Sequence, residues 1–268
     1  MIKKNVYLGP KETLLLYTLE KQNRLIFNTA DAKSIIRGSN ASVKNVIYRL
    51  KNKNRIIEIE RGKYLLAPAR AGIEGYWSEH VFKLLNKLID SYYISCWTSL
   101  HYWGMTEQIP RTTYVITTKI KKDIYFFGEK IKFITVVPKK FFGYTKVKVD
   151  DEKINMATRE KTIIDCLDHL EYCGGIVEVF KGLLTGNDQI DFYKLIKTID
   201  KFGVDSVQRR LGFMLEKANL IKRDDCKKLK KDFKGYRWLD PSANKEILYY
   251  DHNWGLKINI SLEKLFGD

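Results

Sequence analysis

Residues 39–51 read SNASVKNVIYRLK, and no other stretch restricts the possible folds as strongly. Val43, Val46, Ile47 and Leu50 recur at i, i+3, i+4 and i+7, which sets them on one stripe of an α-helix and obliges that stripe to pack against a core. The other faces carry Ser42, Lys44, Asn45, Tyr48, Arg49 and Lys51, side chains that can donate to phosphates or reach base edges in a groove. Ser39 or Asn40 offers the side-chain oxygen that caps the helix start.

The flanking residues turn a helix into a motif. Residues 11–23 spell a first amphipathic helix behind Pro10, with Leu14, Leu15, Tyr17, Thr18 and Leu19 available for packing, and residues 29–36 a short second one. Arg37-Gly38 makes the turn before the third helix, with Gly38 free to take the positive φ that such turns often need. Downstream, residues 55–60 (RIIEIE) alternate as a strand, Arg61-Gly62 turns, and residues 63–67 (KYLLA) return. Three helices and a basic-tipped hairpin predict a winged helix-turn-helix over residues 1–70. Its third helix, with Ser39, Asn40, Ser42, Lys44, Asn45, Tyr48, Arg49 and Lys51, would enter the major groove of double-stranded DNA, and Arg61 and Lys63 of the wing would approach the backbone or minor groove. The competing reading is a small bundle with a solvated basic face. Charge weighs against it: residues 1–72 hold 15 Lys and Arg against 5 Asp and Glu, a net of +10 out of +16 for the chain, which is the footprint of a polyanion partner.

At 268 residues the chain has room for a second, larger core. Residues 68–75 (PARAGIEG) have the composition of a connection, so a second domain is expected over residues 76–268. It opens with a helix at 77–90 and a strand near Tyr92 that turns at Thr98 into a short aromatic-rich helix. Strands follow at 112–118, 123–127, 131–137 and 144–149, with another short one at 154–156, rich in β-branched and aromatic residues. Their spacings are too short for helical crossovers, which predicts a mostly antiparallel sheet. Helices are expected at 159–169, 175–184, 191–202, 205–218 and 223–231, then strands at 236–239, 247–250 and 254–260 that could join the earlier sheet, and a closing helical turn at 261–265. The fold class is α+β.

Catalytic and metal patterns are weak. Cys96, Cys166, Cys173 and Cys226 form no CxxC pair. Cys166, His169 and Cys173 fall close together but lack a fourth ligand, so Cys166 reads as a core residue and His169 as a helix end; no metal or cofactor is expected. A nuclease would need paired carboxylates and a lysine beside a strand. The candidates are Asp150, Asp151, Glu152 and Lys153, which read as a solvated turn, and Glu160, Lys161 and Asp165, of which Glu160 suits a helix start without catalysis. No phosphate-cradling loop or Gly-x-Ser-x-Gly elbow occurs, and His80, His101, His169 and His252 share no spacing, so no catalytic residue and no enzyme activity are expected. The absence of any long apolar run or signal-peptide pattern predicts a cytoplasmic protein that does not engage a membrane. A second basic surface is conceivable on the two late helices, from Arg209, Arg210, Lys227, Lys228, Lys230 and Lys231, for flanking DNA or an RNA; the alternative is a solvated face balanced by Asp224, Asp225 and Asp232.

Four passages in order, SCWTSLHYWGMTEQIP from Ser95, MATREKTIIDCLDHL from Met156, VQRRLGFMLEKANL from Val207 and NWGLKINISLEKL from Asn253, carry a family resemblance. The chain resembles the AbiEi antitoxins of AbiE-type, type IV toxin–antitoxin systems over essentially its whole length. The resemblance implies a repressor of its own operon whose N-terminal domain binds operator DNA. It also implies a C-terminal domain that neutralises a separate nucleotidyltransferase-like toxin, with no stable antitoxin–toxin complex.

Overall fold

The structure is a computed structural model that describes residues 7–67, 81–126, 129–149 and 152–266. The chain divides into two compact units, Met1–Leu88 with Ile124–Lys130, and Ile89–Asp123 with Ile131–Asp268. The expected connection at 68–75 lies outside the described residues. The division falls instead after α4 (Val81–Leu88), whose Leu84, Leu85 and Leu88 are buried; a helix with an apolar stripe belongs to a packed body and not to a linker.

In the first unit the order is α1 (Pro10–Lys21), β1 (Ile26–Asn28), α2 (Thr29–Ile36), α3 (Asn40–Asn52), β2 (Ile56–Glu60) and β3 (Lys63–Leu66). The three strands form one sheet in the order β1-β3-β2, with β3 antiparallel to both neighbours. Strand β1 has no counterpart in the sequence expectation, because three residues carry too little alternation to register; Phe27 pairs with Tyr64 across it, ring centroids 5.5 Å apart. Leu15, Leu16, Leu19, Ile36, Val43, Val46, Ile47 and Leu50 close the core with Phe27 and Leu66. Leu14 and Tyr17, expected inside, are exposed, since the stripe of α1 runs through Leu15, Leu16 and Leu19. The positive φ before α3 sits on Arg37, which ends α2 in the left-handed region, and not on Gly38. Gly38 is needed for closeness instead: a Cβ there would lie 3.3 Å from Ser42 Cβ.

The second unit is built on strands in the order β7-β5-β4-β9-β8, whereas β6 and the first two residues of β7 belong to the first unit. The strands are β4 (Tyr93–Ile94), β5 (Thr112–Thr117), β6 (Ile124–Phe126, in the first unit), β7 (Glu129–Thr135), β8 (Tyr144–Val149) and β9 (Glu152–Ala157). Antiparallel pairing dominates, with β4 and β9 running parallel. Helices α5 (Cys96–Tyr102), α6 (Arg159–Asp168), α7 (Gly175–Thr185), α8 (Phe192–Phe202), α9 (Asp205–Lys217) and α10 (Arg223–Leu229) surround a core that includes Ile163, Ile164, Leu167, Phe180, Leu211 and Met214. The chain is therefore of mixed α+β class with antiparallel-dominated sheets, as the sequence predicts.

One topological expectation fails. The late strands β10 (Arg237–Trp238), β11 (Tyr249–Asp251) and β12 (Leu256–Ile258) form a sheet of their own in the order β10-β12-β11 and do not extend the earlier one; α11 (Leu262–Phe266) follows. This small sheet is fixed to α9 by an interlock. Trp254 is fully buried, and a Cβ on Gly212 would stand 2.0 Å from its ring, so the indole occupies the notch that the missing side chain leaves. The indole N–H donates to Glu216 at 2.6 Å.

Candidate nucleic-acid interface

Helix α3 is held by its buried stripe and by one carboxylate. Glu12, on α1, is buried and accepts from Lys53 Nζ at 2.6 Å, from Arg49 Nε at 2.8 Å and from the Gly9 N–H at 3.1 Å. Lys11 Nζ donates to Ser42 Oγ at 2.9 Å. The N-cap is Ser39, whose Oγ accepts the Ser42 N–H at 3.2 Å. These contacts set the height and rotation of α3 against α1, and the sequence reading did not find Lys11, Glu12 or Lys53. Their only early signal is an acid and a base beside the start of the first helix and the end of the third.

What α3 leaves outward is a polar, basic face. Lys44, Asn45, Tyr48, Arg49 and Lys51 are exposed, as are Ser39 and Asn40, and Ser42 is half-buried. Arg49 is tethered through Nε yet keeps 54 % of its side chain exposed, a geometry that steadies a guanidinium without hiding it. Lys51 is paired with Glu58 on β2, and the carboxyl of Glu58 is held below its ordinary range by the Lys51 hydrogen bond and by the Gly62 N–H. The hairpin tip is tied down too: the Thr29 N–H donates to the Gly62 carbonyl at 3.0 Å, and Gly62 takes φ +72°, which its turn requires. Arg61 is exposed at this tip and Lys63 is half-buried. All ten candidates thus lie on one helix and the adjoining hairpin of the same unit.

The second basic surface does not exist as expected. Arg209 is 1 % exposed and Arg210 7 %. Arg209 donates to the carbonyls of Gly235 at 2.6 Å, Gly255 at 2.9 Å and Lys234 at 3.0 Å, and pairs with Asp205. Arg210 donates to the carbonyls of Leu167 at 2.9 Å and Trp238 at 3.2 Å; burial pulls its guanidinium down from its ordinary value, partly offset by Asp240 and Asp168. Both arginines satisfy backbone carbonyls inside the protein. The four lysines are paired with acids: Lys227 with Asp224, Lys228 with Asp225, Lys230 with Glu216 and Lys231 with Asp200. The solvated, balanced face prevails, because Asp224 and Asp225 stand one turn before the lysines that they neutralise.

The acid–lysine group weighed as a nuclease site is a core network. Lys161 and Asp165 are buried, paired with each other, and completed by the Tyr93 hydroxyl at 2.8 Å from Lys161 Nζ and by Ser95 Oγ, which donates to Asp165 at 2.8 Å. Burial, followed by the Asp165 charge, pushes the Tyr93 hydroxyl well above its ordinary value, so it stays protonated. Glu160 points elsewhere and pairs with Lys194 at 2.9 Å. Asp150 and Asp151 lie outside the described residues; Glu152 and Lys153 begin β9. Lys161 and Asp165 are thus engaged by protein partners inside the core. Cys96, Cys166 and Cys173 are buried free thiols, burial pushing Cys96 up to about 11. His169 caps the end of α6. Among the described residues no group of His, Cys, Asp or Glu is placed to hold a metal ion, and no helix is long and apolar enough to cross a membrane.

No family model and no curated protein matches the chain. Among solved structures it is similar to the crystal structure of RV2827C protein from Mycobacterium tuberculosis, with a TM-score of 0.65 at 9 % identity over 98 % of this chain and 96 % of that one. At that identity the likeness is one of fold.

Proposed function

We propose that this protein is an antitoxin and DNA-binding autorepressor of a type IV toxin–antitoxin operon, acting in the cytoplasm. The first unit serves as a winged helix-turn-helix that reads operator DNA, and the second counteracts a nucleotidyltransferase-like toxin without catalysis and without a stable complex. One observation carries the DNA-binding half. Helix α3 is fixed from behind by Glu12 and its buried stripe, and presents Lys44, Asn45, Tyr48 and Arg49 outward beside a tethered basic hairpin. The antitoxin half rests on the AbiEi resemblance of the four passages. The structure pairs these in space: Ser95 of the first bonds Asp165 of the second, and Gly212 of the third receives Trp254 of the fourth.

Two experiments test the reading. Binding of full-length protein to operator duplex should weaken steeply with salt, with a slope of about −0.9 per phosphate neutralised on a log–log plot; a flat plot removes the DNA-binding half. When the toxin is expressed from an independent promoter, the Arg49→Ala, Lys44→Ala variant should still rescue growth. Gly212→Trp should not, because a second indole cannot share the Trp254 notch. Loss of rescue in the folded double variant would sink the division of labour.

A further inference from the structure

Residues 137–149 read VPKKFFGYTKVKV, with four lysines, three aromatics and no acid. The fold sets this segment beside α8. Lys201 Nζ lies 4.2 Å from the centre of the Phe142 ring, and Lys139 Nζ lies 3.2 Å from where a Cβ of Gly203 would stand, so the segment runs along the C-terminal end of the helix. On α8, Tyr193, Lys197 and Lys201 recur every fourth residue and share one outward face, with Lys197 Nζ 4.2 Å from the centre of the Tyr193 ring. From Phe142 the chain continues into β8, where Tyr144, 39 % exposed, stacks on Tyr93 at 5.0 Å and Lys146 follows on the same face.

The charges here differ in kind from those on α10. Lys139, Lys146, Lys197 and Lys201 are exposed, and none is ion-paired among the described residues. Lys140 and Lys194, the cations of this region nearest to acids, are taken by Asp168 and Glu160. The acid on the exposed face of α8 is Asp200, which pairs with Lys231. Lysines free of ion pairs, set among the exposed rings of Tyr193 and Tyr144 and the half-buried ring of Phe142, suit a ligand with a regular negative charge and flat apolar faces. Duplex DNA offers the first and hides the second. A single strand offers both, phosphates to the ammonium groups and unstacked bases to the rings.

We propose that the strip formed by the outward face of α8 (Tyr193, Lys197, Lys201), the 138–143 loop (Lys139, Phe142) and the start of β8 (Tyr144) binds single-stranded nucleic acid. This goes beyond the duplex-binding role of α3 and uses none of its residues. The test is fluorescence anisotropy of full-length protein with labelled oligouridine, oligodeoxythymidine and duplex DNA, across a salt series. It compares the wild type with a triple variant, Lys139→Gln, Lys197→Gln, Lys201→Gln, and with Tyr193→Ala; all four positions are exposed, and thermal melting checks that each variant stays folded. The triple variant should lose about tenfold or more in single-strand affinity, and its log–log salt slope should shrink by roughly 2, at about 0.7 per phosphate contact. Tyr193→Ala should weaken single-strand binding while leaving that slope unchanged, since stacking carries no counterion release. Duplex affinity should stay within about twofold of wild type in both, which separates failure here from failure of the α3 reading. The oligouridine and oligodeoxythymidine arms identify whether the strand held is RNA or DNA. Single-strand affinity that is unchanged in the triple variant, or absent in the wild type, overturns the proposal.

Discussion

Arg49 and Arg209 sit in similar words, VIYRLK on α3 and VQRRLGF on α9, one and two residues before a leucine that is fully buried. Their fates are opposite. Helix α3 buries one stripe, so an arginine one residue from that stripe emerges into solvent beside it. Helix α9 is buried on every side from Val207 to Leu215, so Arg209 and Arg210 have nowhere to emerge and take backbone carbonyls instead. A cationic helix in sequence therefore states only that charge must be satisfied. Whether a polyanion or the protein satisfies it depends on how many faces the helix packs.

The comparison can be broken most forcefully at Arg209. Arg209→Ala removes the guanidinium from the carbonyls of Lys234, Gly235 and Gly255, of which Gly255 keeps the Arg237 N–H, and should cost roughly 3–5 kcal/mol of stability in urea denaturation. Arg209→Lys should recover only part of this, because one ammonium cannot reproduce a fork that spans Lys234, Gly235 and Gly255. Arg49→Ala leaves Glu12 with Lys53 and should be far milder; equal losses at the two sites would erase the distinction drawn above. The next effect concerns DNA. Asn45→Ala should cost about 1–3 kcal/mol on operator duplex and relax sequence preference, and an equal loss on scrambled duplex would contradict base reading. Arg61→Ala or Lys63→Ala should weaken binding to all duplexes alike, which competition between operator and scrambled sequence measures directly. The smallest effect belongs to α10. Lys227→Ala with Lys228→Ala should change neither the denaturation midpoint nor the affinity for nucleic acid measurably, since both lysines are exposed and already paired.

Much of the fold was legible because periodicity survives in the chain. The stripe of Val43, Val46, Ile47 and Leu50, the alternation of RIIEIE and the helices at 159–169 and 205–218 all stand within a residue or two of their expected limits. What was not legible depends on partners distant in sequence. The independence of the late sheet rests on Trp238 and Tyr250 pairing with Lys257, and no local signal says which strands a short strand will choose. The exposed residues proposed on α3 could be named from type and spacing, whereas Glu12 could not, because its contact arises only when α1 and α3 are brought together across 37 residues of chain. The strip along α8 escaped notice for the same reason: its lysines come from segments more than fifty residues apart, and each alone resembles an ordinary solvated cation.

The Gly212–Trp254 interlock limits the order in which the protein can change. A side chain acquired first at 212 collides with an indole that has no room to move, at 2.0 Å, so that variant must cross a poorly folded intermediate. Shrinking Trp254 first leaves a cavity, costly at about 3–5 kcal/mol but free of collision, and a later leucine at 212 can fill it. The two sites are thus coupled with a direction. A double-mutant cycle should show a large favourable interaction between Gly212→Leu and Trp254→Ala, and a selection started from the native sequence should reach the pair by way of position 254.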